Sequence, residues 1–235
     1  MASAGGSASD GRDRKTQAIY SLRGKILNTH NKSLDVILDS EEIKNIVSAL
    51  GTGIGPNFDI EKLRYHKVCT LTDSDVDGSH ICVLLLTLFF KHMRPLIEGG
   101  FIYVANAPLY IIKKGARKLG FLKNEAERDQ WILDKVGEEY DLDPKTTLKD
   151  LDKELVREVI GNYSFGYLKG LGEMNPEELA LTTLNPKYRN LERVTIEDAE
   201  AAEYVFRVLM DSKATVVPER KEFIIDNALE ASIDI

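Results

Sequence analysis

Two cysteines and four histidines in 235 residues leave little room for thiolate or imidazole metal chemistry. Cys69 and Cys82 lack metal-ligand spacing, and His30, His66 and His92 form no ligand pattern. Both thiols are expected to be buried, in a reducing compartment. Long hydrophobic runs are also missing, since none reaches the roughly 18 residues of a membrane span. The apolar stretch Ile81 to Phe90 is interrupted by Lys91-His92 and closed by Pro95, as in a buried helix. The opening Met-Ala-Ser-Ala-Gly-Gly lacks the basic and apolar regions of a secretory leader. A cytoplasmic protein with no membrane partner is the expectation. Basic charge is in deficit too, with a net charge of −7. That deficit is local: between Asn124 and Ile160, twelve acids against six bases leave −6. Near the amino terminus Arg12, Arg14, Lys15, Arg23 and Lys25 outweigh Asp10 and Asp13 by three. Phosphate affinity depends on where Lys and Arg stand, so the acidic total does not exclude a nucleic-acid partner.

What the chain does have is a concentration of carboxylates, Asp73-Ser74-Asp75-Val76-Asp77, followed by Gly78. It ends the run Lys67 to Thr72, whose β-branched and apolar residues read as a buried strand. Alternation along that strand would send Asp73 and Asp75 the same way, off its carboxyl end. Open α/β sheets place their ligands at that end. Two adjacent carboxylates repel, and Mg²⁺ relieves the repulsion while keeping water and phosphate oxygens as its other ligands. The first reading is a Mg²⁺ site for phosphate chemistry. An acidic turn is the plain alternative, because Asp and Gly are common turn formers. An EF-hand fails twice: Leu84 stands at its twelfth position, where a bidentate Glu is required, and a strand precedes it where a helix should. A phosphatase of the haloacid-dehalogenase type also carries Asp-x-Asp after a strand, but usually has Thr or Val where this chain has Asp77.

Elsewhere the pattern is that of an α/β protein. Residues 3 to 15 are a Gly- and Ser-rich opening that turns basic, suited to anions or simply a loose end. Gln17 to Leu22 is a strand candidate, and Ser40 to Leu50 a helix with Asp39 and Glu42 spaced as a capping box and Gly51 as its stop. The strand at Val68, a helix from Ser79 to Glu98, and strands at Phe101 to Ala105 and Leu109 to Lys113 give a parallel βαβ unit. Exposed, acidic helices are expected between 115 and 162, with Leu148, Leu151, Leu155, Val156 and Val159 on one helical face. Tyr163, Phe165 and Tyr167 alternate like core residues of a strand. A glycine-punctuated loop runs from Tyr167 to Pro176, where Gly170 and Gly172 suit turn geometry, and helices at Ile196 to Met210 and Glu219 to Ala231 close the chain.

An ordered set of motifs carries a family resemblance: Ser-Ala-Gly-Gly-Ser at 3 to 7, Gly-Arg-Asp-Arg-Lys at 11 to 15 and Gly-Lys-Ile-Leu-Asn at 24 to 28. Leu-Arg-Tyr-His-Lys at 63 to 67, Thr-Asp-Ser-Asp-Val-Asp-Gly-Ser-His at 72 to 80, Pro-Leu-Tyr at 108 to 110 and Lys-Gly-Leu-Gly-Glu-Met-Asn-Pro at 169 to 176 follow. The chain resembles the TOPRIM and tail region of the B subunit of bacterial type IIA DNA topoisomerases, either DNA gyrase or its topoisomerase IV counterpart. The resemblance implies a Rossmann-like TOPRIM parallel sheet flanked by helices, with a helical tail. It divides the chain into a TOPRIM core (3–115), an acidic helical connecting segment (116–162) and a tail region (163–235). It implies double-strand cleavage and religation of DNA by a tyrosine of the A subunit, so none of the tyrosines here is a catalytic candidate. By position, Asp73 and Asp75 would hold Mg²⁺, for which Mn²⁺ or Ca²⁺ can substitute, and Asp77 would assist or brace the turn. Lys25 and Asn28 match DNA-contacting positions, with Arg12, Lys15 and Lys169 as weaker DNA contacts. His80 would brace the acidic loop or touch phosphate. The partners implied are the A subunit in an A2B2 assembly, double-stranded DNA, and an amino-terminal ATPase part that binds ATP. Localisation would be cytoplasmic, with the nucleoid.

The family's first motif reads Glu-Gly-Asp-Ser-Ala-Gly-Gly-Ser, whereas here only Met1-Ala2 precede Ser3, and the first glutamate is Glu41. No catalytic residue is therefore expected in this chain, which reads as a cut fragment or the second half of a split subunit. It is either part of an ATP-dependent topoisomerase, an isomerase not active alone, or a non-catalytic module that binds DNA and the A subunit.

Overall fold

In the computed structural model, which describes residues 2–197 and 199–227, helices and short strands alternate along the chain. In order they are α1 (Ala2–Gly11), α2 (Leu34–Asp39), α3 (Glu41–Leu50), β1 (Val68–Thr70), α4 (Val76–His92), α5 (Pro95–Glu98), β2 (Ile102–Asn106), β3 (Tyr110–Lys114) and β4 (Arg117–Leu122). Then come α6 (Glu125–Gly137), α7 (Lys153–Ile160), β5 (Tyr163–Tyr167), α8 (Pro176–Leu179), β6 (Asn190–Arg193), α9 (Ala199–Met210) and α10 (Val217–Asn227). The chain is α/β. It divides into two compact units: one takes the residues up to Arg23 with 71–79 and 105–192, the other 24–70, 80–104 and the chain from 193 on.

The second unit contains most of the βαβ arrangement, the first turn of α4 and the last two residues of β2 being assigned to the first. Strands β1 and β2 pair in parallel, Val68 opposite Ile102 and Thr70 opposite Val104, and α4 joins them. From Ile81 to Phe90 most side chains of α4 are buried, as expected of a helix apolar on nearly every side. Thr87, fully buried, satisfies its hydroxyl on Val83 O at 2.7 Å. The expected helix from Ser79 to Glu98 is two helices: Pro95 cannot donate an amide, so it starts α5 as an N-terminal proline. Gly51 ends α3 in the left-handed region at φ 84, as the sequence implied, but Ser40 and not Asp39 occupies the N-cap, without a side-chain bond. Cys69 is exposed, contrary to expectation, because the pleat places it on the face opposite buried Thr70.

His30 and His92 lie in this unit, and both have their pKa depressed, first by burial and then by Lys91 in the case of His30. For His92 a bond to Thr29 O at 3.3 Å works against burial without cancelling it. The folded state thus resists protonation, whereas the unfolded chain takes up protons freely below about pH 6.5. Stability is expected to fall as pH drops through that range, with a lower thermal midpoint at about pH 5.5 than at about 7.5. His92→Gln should flatten that dependence in calorimetry, and an unaltered slope would show that His92 does not cause it.

The first unit is built on an antiparallel sheet in the order β4-β3-β5, with Tyr110 opposite both Leu122 and Tyr167 and a bulge between Ile112 and Lys113. Helix α6 covers it through Trp131, whose ring meets Tyr163 and Phe165 edge-on at 5.1 and 5.4 Å. The alternation of Tyr163 and Phe165 is thereby explained, while Tyr167 remains exposed. The apolar spacing after Thr147 is split: Thr147 and Asp150 form a capping box on a single 3₁₀ turn, and Asp152 caps α7. The Gly- and Ser-rich opening is no loose end: up to Gly11 it is the helix α1. Small residues let α1 press close: a Cβ on Gly11 would stand 2.3 Å from Pro176 O. Ala8 joins a core cluster with Ile111, Leu168, Leu171, Met174, Leu179 and Leu184. Gln17 to Leu22 forms no strand; Gln17 instead donates its side-chain amide to Leu184 O at 2.6 Å. Of the expected closing helix, positions 228 to 231 lie outside the described residues.

Candidate metal centre

Strand β1 ends at Thr70, three residues before the first aspartate, so the pleat does not orient the carboxylates. Backbone amides do. Asp75 stands just before α4 and acts as its cap: Oδ1 accepts the Gly78 amide at 2.7 Å, and its carbonyl accepts the Ser79 amide and hydroxyl, both at 3.0 Å. Asp77 falls in the first turn, where the helix dipole favours a negative charge. Asp73 Oδ1 accepts the Leu171 amide at 2.8 Å, a bond between residues 98 positions apart. Asp73 is half-buried, whereas Asp75 and Asp77 are exposed.

Gly78 closes the arrangement from the other side. A Cβ there would stand 2.1 Å from Asp73 O, so the start of α4 folds directly over the Asp73 peptide. Residues 72 to 79 of the acidic motif and the loop at 169 to 176 therefore meet at Asp73, within one unit. In the sequence they stand as separate motifs. Their glycines are the one trace of the contact, because a missing side chain at Gly78 or Gly170 marks a close approach as readily as a turn.

Asp73 and Asp75 each commit one carboxylate oxygen to an amide and have no partner for the other among the described residues. No cluster of three or more His, Cys, Asp or Glu side chains able to hold a metal occurs among those residues. A set of two carboxylates is too small for an all-protein cage of the Ca²⁺ kind. It suits Mg²⁺, which takes one or two carboxylates and keeps waters and phosphate oxygens. The residues fit that ion.

The remaining candidates divide between the units. Lys25 and Asn28 belong to the second. Lys25 is exposed. Asn28 is held inside its unit, donating through Nδ2 to Met210 O at 2.7 Å and accepting the His30 amide at 3.1 Å. Arg12, Lys15 and Lys169 belong to the first unit with the aspartates. Arg12 turns back to donate to Ser9 O. Lys15 is exposed and its amide donates to Asp13, and Lys169 is exposed with its amide on Glu173 at 3.1 Å. His80 is exposed in the first turns of α4.

The Toprim domain family model matches residues 1–107, and the model described as DNA gyrase B subunit, carboxyl terminus, matches 161–225. The DNA gyrase B subunit of Staphylococcus epidermidis is 46% identical over 232 residues, covering 99% of this chain. The same protein of Staphylococcus aureus is also 46% identical over 232 residues. The chain spans 32% of the length of each of these relatives. Among the described residues no helix is long and apolar enough to cross a membrane.

Proposed function

The chain belongs, through its Toprim and carboxyl-terminal parts, to the DNA gyrase B subunit family, and on that premise we propose that it supplies the Mg²⁺-binding carboxylates of a cytoplasmic type IIA DNA topoisomerase. The observation that carries the reading is the pair Asp73 and Asp75, each anchored by a backbone amide through one oxygen and, among the described residues, open at the other. When bound, Mg²⁺ supplies charge stabilisation for phosphate and leaving oxygens in strand cleavage. Asp73 and Asp75 hold that charge in place, and Asp77 adds negative potential at the first turn of α4. The tyrosine that attacks DNA comes from the A subunit, and ATP is bound by the amino-terminal part of the B subunit. Exposed Lys25 takes a phosphate of the duplex. Asn28, with one amide bond already spent on Met210, has one donor left for the same backbone.

The reading is tested by carrying this chain in a full-length B subunit reconstituted with its A subunit. Mg²⁺-dependent cleavage and supercoiling of plasmid DNA are expected; decatenation without supercoiling would assign the topoisomerase IV counterpart. In the same assembly Lys25→Ala should weaken DNA binding and lower the salt slope by about one. An unchanged slope would remove Lys25 from the interface. The resemblance leaves a second reading, a module that binds DNA and the A subunit without cleaving. DNA retention with no cleavage at any Mg²⁺ concentration would select it.

A further inference from the structure

Gly170 has no conformational reason to be glycine. Its backbone is extended, at φ −150 and ψ 155, a conformation open to any residue. The reason is space: a Cβ there would meet Asp73 Oδ1 at 3.2 Å, Cγ at 3.4 Å and Oδ2 at 3.7 Å. The next amide, that of Leu171, donates to Asp73 Oδ1 at 2.8 Å. The peptide is itself held firmly. Leu168, Leu171 and Met174 are buried in the core cluster, and the turn is closed by the Glu173 amide on Gly170 O and the Met174 amide on Leu171 O. A rigid amide therefore fixes one oxygen of Asp73 and leaves the other turned away from that bond.

We propose that the Gly170–Leu171 peptide is a positioning element for Asp73, setting how readily this carboxylate takes a divalent cation; the proposal rests on the reading of Asp73 as a metal ligand. An ionised acceptor on a fixed donor needs no reorientation to ligate, so the cation meets a carboxylate already aligned. The coupling is reciprocal. A cation on Asp73 holds the loop 169–174, with exposed Lys169, in the same arrangement that favours the cation.

The test uses this chain, Mn²⁺ as the probe read by electron paramagnetic resonance, and hydrogen exchange at the Leu171 amide. Gly170→Ala, which adds only a methyl against Asp73, is expected to weaken Mn²⁺ binding about tenfold with an unchanged thermal midpoint. Gly120→Ala, where a Cβ meets nothing within 4 Å, serves as the control and should bind as the parent does. Asp73→Ala should speed exchange at Leu171 about tenfold or more, even without metal. Asp73→Asn keeps an acceptor for Leu171 but should lose Mn²⁺. If Asp73→Asn and the parent bind Mn²⁺ alike, the metal reading itself falls. If Asp73→Asn loses the cation while Gly170→Ala binds it normally, or Leu171 exchange ignores Asp73→Ala, positioning is overturned and the metal reading stands.

Discussion

Asp73→Ala in the reconstituted enzyme is expected to reduce DNA cleavage at least about a hundredfold, because a metal ion at a phosphate contributes several kcal/mol and each ~1.4 kcal/mol is tenfold in rate. ATP hydrolysis should persist, since the proposed reading assigns it to another part of the B subunit. Asp73 is the more exacting of the two carboxylates. It is half-buried and tied by Leu171 on one side and by the start of α4 on the other. Asp75 is exposed and, among the described residues, anchored by the turn it caps, and on the proposed reading Asp75→Ala should lose a helix cap worth about 1 kcal/mol together with a metal ligand. The measurement is linear product in a cleavage gel against Mg²⁺ concentration, with ATPase as the internal control. Cleavage by Asp73→Ala near the parent level would refute the metal assignment.

Gly78→Ala is expected to damage fold and site together. The added Cβ would stand 2.1 Å from Asp73 O and 2.9 Å from Asp73 C and N. These are backbone atoms, which cannot rotate aside as a flexible side-chain tip would. Either the first turn of α4 unwinds, breaking the Gly78 amide bond to Asp75, or the Asp73 peptide moves and its carboxylate leaves Leu171. Forced overpacking costs about 1–3 kcal/mol, and loss of the cap adds about 1. Urea unfolding should show the lower midpoint, and Mn²⁺ titration of the still-folded protein the weaker binding. A Gly78→Ala chain with both parent midpoint and parent affinity would sink this account of the close approach. The contrast with Gly170→Ala is informative, because there the obstacle is a carboxylate, so affinity should change while stability does not.

Much of the fold was legible in the primary structure. The parallel βαβ unit follows from an apolar, β-branched run, an apolar helix and a second such run, and periodicity alone exposes it. The Gly51 stop, the proline start of α8 and the packing of Tyr163 and Phe165 in β5 follow from equally local rules, whereas Tyr167, expected in the core, is exposed. Errors came where neighbours outvoted local preference. Gly- and Ser-rich residues 2 to 11 form a helix because small residues permit the close packing of α1 on Pro176, an energy that no propensity contains. Cys69 is exposed because burial on one face of a strand says nothing about the other.

Chemistry and position thus have different origins in this protein. Residue order is enough to set two hard carboxylates a residue apart, ahead of an apolar helix, in an ordered set of family motifs. How those carboxylates are held is a product of long-range packing. The amide that fixes Asp73 comes from Leu171, 98 positions away, and the glycine that admits the contact is extended and needs no special torsion. Periodicity reports which face of an element is apolar, because that is set within a few residues. Which amide meets which carboxylate depends on how the core of Leu168, Leu171 and Met174 closes, and that is settled only when distant segments pack.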